Sequence, residues 1–131
     1  MIRHIRATQV CLAVAAAAFL IVGVGHLVAP LKMVEPVDIQ LRGVNALNEI
    51  RANYGGMHFL MGVFFLAGAF LSKLRWAALV ALAVFTSGLV LGRVASVAVD
   101  GTPGTFVWML LAGELVIAAA AWFLLWRGGR D

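Results

Sequence analysis

Twenty consecutive residues, Val10 to Ala29, contain one strongly polar side chain, His26. Wound as a helix, such a run is about 30 Å long, the thickness of a bilayer's hydrocarbon core. More apolar runs follow it in a chain of only 131 residues, which is room for one domain. The chain is 63% hydrophobic and 12% charged, against about 25% charged for a soluble domain. A small water-soluble fold leaves too much surface exposed to hide that much apolar area. Lipid is therefore the expected solvent. Arg3 and Arg6 give the first run a basic start, as in a signal peptide, but the run is long for a signal core and no A-x-A cleavage pattern follows. It reads as a span.

Four spans are expected, at about residues 10–29, 47–71, 76–99 and 103–126. Pro30 and Pro36 end the first. The strictly apolar part of the second, Met57 to Leu71, is short. It reaches spanning length only if the helix begins near Leu47 and carries Asn48, Glu49 and Arg51 in its first turns. The third contains Arg93. The fourth is expected to start with Thr102 as N-cap and Pro103 in the first turn, and it contains Glu114. Short links, Ser72 to Arg75 and Asp100 to Gly104, make consecutive helices antiparallel neighbours. The expected class is all-α: an integral membrane four-helix bundle.

The net charge of +4 is confined to segments between the apolar runs. With four spans, Arg3, Arg6, Lys73, Arg75, Arg127 and Arg130 share one side, against Lys32, Arg42, Arg51 and Arg93 on the other. Excess Lys and Arg mark the cytoplasmic face, which puts both termini there. Trp76, Trp122 and Trp126 would form an aromatic belt on that face, with Trp108 at the opposite one. No basic patch interleaved with exposed aromatics points to nucleic acid. Cys11, the single cysteine, makes no internal disulfide and reads as a packing residue.

The polar residues within the spans carry what functional signal there is. At 100° per residue Arg51, Tyr54, Gly55, His58 and Gly62 share a face of the second helix, with Asn48 nearby. Thr86, Arg93, Ser96 and Asp100 share a face of the third. By rise along the helix Arg51 lies about 6 Å deep, Arg93 about 9 Å, and His58 and Glu114 about 16 Å. A charge near mid-membrane costs an apparent ~2.5 to 3.5 kcal/mol and needs a partner once folded. These positions predict a pocket opening outwards, with Arg51 and Arg93 at its mouth and His58 and Glu114 at its floor. The competing structural reading has the two arginines snorkelling to the interface and Glu49 and Asp100 acting as caps or interfacial partners. Glu114 cannot snorkel in that way; it is paired with Arg93 or His58, or kept protonated.

Sharper chemistry finds little support. A haem between His26 and His58 would need matching depths, and these differ by roughly 10 Å. A metal held by His26, His58 and Glu114 has suitable ligand types but no spacing motif, so no metal is expected and the cofactor stays unknown. No Ser-His-Asp, Walker, Rossmann or paired-cysteine pattern is present.

The stretch Asn48-Glu49-Ile50-Arg51-Ala52-Asn53-Tyr54-Gly55-Gly56, then Gly92-Arg93 with Ser96, Asp100-Gly101-Thr102-Pro103 and Glu114, resembles the bacterial membrane family called domain of unknown function 4345. That family is similar in layout to the DoxX-like four-helix proteins. The resemblance runs over nearly the whole chain after about residue 10. It implies a compact four-helix bundle in the inner (plasma) membrane. Some DoxX-like proteins are implied to serve as membrane subunits of quinone-linked oxidoreductases and others as assembly factors. Small multidrug transporters resemble the chain in size but carry their carboxylate in the first helix, where this chain has none. Fluoride channels are similar in helix count only.

The leading expectation is a protein, more plausibly not an enzyme, that binds a small anionic, carbonyl or quinone ligand, or a membrane-protein partner. Its pocket would draw on Asn48, Glu49, Arg51, Tyr54, His58, Arg93, Ser96, Asp100 and Glu114. The alternatives are an accessory subunit of a membrane oxidoreductase and a proton-coupled transporter with Glu114 as the titrating group.

Overall fold

The computed structural model describes residues 2–128, with side chains from Ile5 onward. Among these residues every regular element is helical. Helix α1, Ile2–Val28, is followed by a short α2, Pro30–Val34, with proline in its first turn, where a missing N–H costs nothing. A 3-10 turn, Glu35–Val37, ends on Asp38, whose left-handed backbone (φ 58°) is among those Asp tolerates. Helix α3, Gly43–Ile50, runs through a π-helical segment, Arg51–Gly56, into α4, Met57–Phe70. The junction residues Ile50, Arg51, Gly56 and Met57 all keep right-handed helical dihedrals, so the three pieces form one rod. Helix α5 spans Ser72–Asp100 and α6 spans Thr105–Gly128.

Three helical stretches, Ile5–Val28, Ser72–Asp100 and Thr105–Gly128, are long and apolar enough to cross a membrane. Only 33%, 28% and 22% of their most apolar windows lie buried inside the protein, so most of that surface faces outwards. Val14, Ile21, Leu60, Val84, Leu91 and Val116 are exposed mid-helix. In water that would be an aggregating surface; in lipid it is the expected one.

Two links differ from expectation. Ser72–Arg75 is the first turn of α5, and the reversal is made by Leu71 alone, whose extended backbone (φ −96°, ψ 110°) breaks the helix. Helix α6 begins at Thr105, not at Thr102 and Pro103. Gly101, at φ 99°, ends α5, and Pro103 disfavours a helical Thr102, so the next helix starts on the Gly104 carbonyl, which accepts from Val107 and Trp108.

Close backbone approach positions everything else. Leucines of α1 sit over glycines of the opposite rod: Leu12 over Gly68, Leu20 over Gly62 and Leu27 over Gly55. Numbers rise along one as they fall along the other, so the two are antiparallel. A methyl added at Gly62 would lie 2.8 Å from Leu20 Cγ, and one at Gly23 would lie 2.5 Å from the backbone nitrogen of Phe59. Without a hydrophobic drive between helices in lipid, this contact density is what holds them together. Gly68 also meets Ala78 of α5, and α5 and α6 pair antiparallel through Ser87–Trp122 and Arg93–Glu114. Gln9 Nε2 and Arg75 Nη2 both donate to the Ala69 carbonyl, at 3.0 and 3.3 Å, and Trp76 lies by Gly128, so the start of α1 and the end of α6 share one end of the bundle. Arg130 and the Arg3 side chain, which the sequence assigns to the charge of that end, lie outside the described residues.

The core is concentrated towards that same end. It comprises Leu12, Ala15, Ala16, Phe19, Phe65, Ala69, Ala78, Leu79, Leu82, Ala83, Ala121, Leu124 and Leu125. Beyond Thr86, α5 has no buried residue, and α6 has only Leu111 buried before Ala118. One end has a close-packed apolar interior; the other is looser and holds His26, His58, Arg93 and Glu114.

Candidate functional site

At the loose end Arg93 of α5 reaches Glu114 of α6 with two hydrogen bonds, Nε to Oε2 at 2.6 Å and Nη2 to Oε1 at 2.8 Å. This is the bidentate fork that a planar guanidinium makes with a carboxylate. The side chains are 26% and 14% exposed, so the pair is shielded without being sealed. Of the alternatives open for Glu114, pairing with Arg93 is the one found. Arg93 was expected nearer the mouth than Glu114; the length of its side chain closes the difference in depth.

The second half of the site comes from α1 and the π segment. Three rings stack in a row: His26 on Tyr54 (centroids 5.3 Å, 29°) and Tyr54 on His58 (5.7 Å, 12°). Phe19 stacks on the far side of His58 at 5.3 Å, and Phe85 of α5 meets His58 edge-on at 5.5 Å. Tyr54 also lies within electrostatic range of Arg93. His26 and His58 are both 8% exposed, while Tyr54 is 42% exposed and forms the open side.

The π turn explains how these rings meet. In an α-helix the Met57 N–H would bond the Asn53 carbonyl; here it bonds Ala52 instead. The Asn53 carbonyl is taken up by His58 Nδ1 at 2.9 Å. His26 does the same for the Val22 carbonyl at 2.8 Å, within its own helix. A carbonyl can only accept, so Nδ1 carries the proton in both rings.

The other predicted residues stand apart from this centre. Arg51 is exposed and donates from Nε to the Leu27 carbonyl at 3.2 Å, closing the end of α1. The Glu49 carboxylate accepts from Asn53 Nδ2 at 3.1 Å, one turn on, and Ser96 donates to Asp100 at 2.9 Å in the same way. Asn48 is exposed or nearly so and makes no bond to the ion pair. These are local bonds on helix surfaces, and they bring none of these residues to Glu114. A groove of 470 Å³ does occur at this end, but it is lined by Leu31, Glu35, Asp38 and residues 39–42 of the connector, with no predicted site residue among them. Tyr54 fills the space between the His26 and His58 rings where a haem would have to lie. Among the described residues no three His, Cys, Asp or Glu side chains are grouped to hold a metal ion.

The profile of the family described as Domain of unknown function (DUF4345) matches residues 7–125. The chain belongs to this family. No curated protein and no solved structure matches it. The matched stretch of this DUF4345 protein contains the whole site, from Phe19 to Glu114. Sequence reasoning gave His26 little weight and missed Phe19 and Phe85 altogether. A signal for the two phenylalanines did exist: the core-facing run Ala15, Ala16, Phe19 on α1 and Leu82, Phe85, Thr86 on α5. Of the ring stack, the shared face of Tyr54 and His58 was legible from the 100° spacing, while the place of His26 against Tyr54, which depends on how α1 meets the π turn, was not.

Proposed function

We propose that this DUF4345 protein crosses the inner membrane four times with both termini in the cytoplasm. We further propose that it binds a small anionic or carbonyl-bearing ligand in a cleft between Tyr54, His58 and the Arg93–Glu114 pair. The rod from Gly43 to Phe70 is about as long as its neighbours and supports a fourth crossing. Arg6, Lys73, Arg75 and Arg127 lie at the end shared by the start of α1 and the close of α6, and the sequence adds Arg3 and Arg130 to that side, which is the excess that favours a cytoplasmic face.

The observation that carries the binding reading is the Arg93–Glu114 fork itself. An ion pair placed in an apolar environment costs desolvation that packed apolar residues would not, so stability alone is a weak reason for one. Here it stands where the packing opens and within electrostatic range of an exposed tyrosine. An anionic or carbonyl oxygen can take the guanidinium in place of Glu114, with Tyr54 as a further hydrogen-bonding partner. The surrounding bilayer is the first partner of the protein and the source of a lipid-soluble ligand.

Mass spectrometry of small molecules extracted from gently purified wild-type and Arg93→Ala protein tests this. The wild type should retain a compound with such a group, and the variant should lose it while keeping its helicity. Equal retention by both would remove the cleft as the binding place.

A further inference from the structure

His58 does one thing that packing does not require. Its Nδ1–H is committed to the Asn53 carbonyl, so in the neutral ring Nε2 is a bare acceptor. Among the described residues that nitrogen has no hydrogen-bond partner, although His58 is only 8% exposed. It is not sealed in either. Among the described residues, the buried side-chain nitrogen or oxygen left without a partner is Arg75 Nε, so His58 Nε2 borders open space. An acceptor held in a poorly solvated place and reached from outside is costly unless a donor fills it.

We infer that His58 Nε2 accepts a hydrogen bond from the ligand, and that the ligand therefore carries a hydroxyl group beside its anionic or carbonyl group. This rests on the ligand-binding reading of the same cleft and narrows it. The geometry favours a small head group. Tyr54 lies flat against His58 and within electrostatic range of Arg93, so a head group beside this one exposed ring has the imidazole and the guanidinium for its two ends. Phe19 covers the other face of the imidazole and Phe85 meets it at a right angle, which holds the ring in place. Neither can supply a proton to Nε2. The π turn contributes by leaving the Asn53 carbonyl for Nδ1, which fixes the tautomer that makes Nε2 an acceptor.

The test uses two probes of nearly equal shape, 4-hexylphenol, which has a hydroxyl donor, and 4-hexylanisole, in which a methyl ether replaces it. Full-length protein with nitrogen-15 in its three histidines is placed in lipid nanodiscs, and its ring nitrogens are followed by NMR at matched membrane concentrations of each probe. Without probe, the His58 signals should show a protonated Nδ1 and an unprotonated Nε2. The phenol should shift Nε2 saturably and bind several-fold, up to about tenfold, more tightly than the ether, the range one hydrogen bond allows. His58→Phe should abolish that preference.

Equal response to both probes, response to neither, or the opposite tautomer would overturn the inference, and all three are read on wild-type protein whatever the variant does. Such a result leaves the Arg93-dependent retention experiment to decide independently whether the cleft binds a ligand. A retained compound without any donor group would retire the hydroxyl and keep the site.

Discussion

Gly23→Ala is the most direct probe of how the bundle is held together. A methyl at residue 23 would lie 2.5 Å from the Phe59 backbone nitrogen, 2.7 Å from its Cα and 2.9 Å from its Cβ. Ordinary contact needs about 3.5 Å or more, so the two rods must separate locally by about 1 Å. The obstructing atoms are mainly backbone, which no rotamer change can move aside. Overpacking of this kind costs about 1–3 kcal/mol, and the rigid neighbour argues for the upper half of that range. Gly88→Ala is the matched control, because nothing lies within 4 Å of a methyl there. Its effect should stay within about 1 kcal/mol, the size of the helix-propensity difference. Equilibrium unfolding in mixed micelles, followed by tryptophan fluorescence and circular dichroism, gives both values. If Gly23→Ala were as stable as Gly88→Ala, close approach of α1 and α4 would not be what holds this fold.

Arg93→Leu or Glu114→Leu alone should destabilise by about 1–3 kcal/mol, less than the ~3–5 kcal/mol of a sealed pair because both groups keep some exposure. The double variant should recover most of that loss, and a coupling energy near zero in the cycle would deny the fork. His58→Phe keeps the ring stack but strips the Asn53 carbonyl of its donor, at a cost of about 1 kcal/mol. The loss should appear as faster amide exchange confined to residues 51–58. Trp122→Phe removes the 2.9 Å bond to Ser87 and should cost about 0.5–1.5 kcal/mol in the same micelle assay. In a Cys11→Ser background, Asp38→Cys should react with a membrane-impermeant maleimide added outside intact cells, and Arg127→Cys should react only after lysis; the reverse pattern would invert the proposed topology.

The helical class and the long apolar helices were legible because a run such as Val10–Ala29 has few physical solutions once its length matches a bilayer. The polar rod was harder to read. Met57 onward is apolar but short, so a start near Leu47 could be argued only from the length a span needs; the structure carries helical dihedrals through Ile50 and Arg51. Arg93 and Glu114 stood out because a charge among leucines needs a reason, and the bidentate contact supplies one. Arg51 looked equivalent on the same grounds, yet it spends its Nε on the Leu27 carbonyl at the close of α1. Helix ends have carbonyls to satisfy, and a nearby guanidinium goes to them first. The π turn left no trace in composition, and with it went the reason why Tyr54 lies between two imidazoles.

A turn closed by i to i+5 bonds holds one residue more than its α-helical neighbours. Deleting a single residue between Arg51 and Gly56 would therefore restore an ordinary helix that leaves the upstream residues on their face, returns the Asn53 carbonyl to a backbone N–H and re-aims the side chains of the turn itself, Tyr54 included. The apolar half, from Phe65 to Ala69, would not notice. The packed core and the ring stack are thus written in different stretches of the same rod. Relatives with a shorter version of this stretch would be expected to keep the bundle and to lose the stack, and with it the proposed binding place.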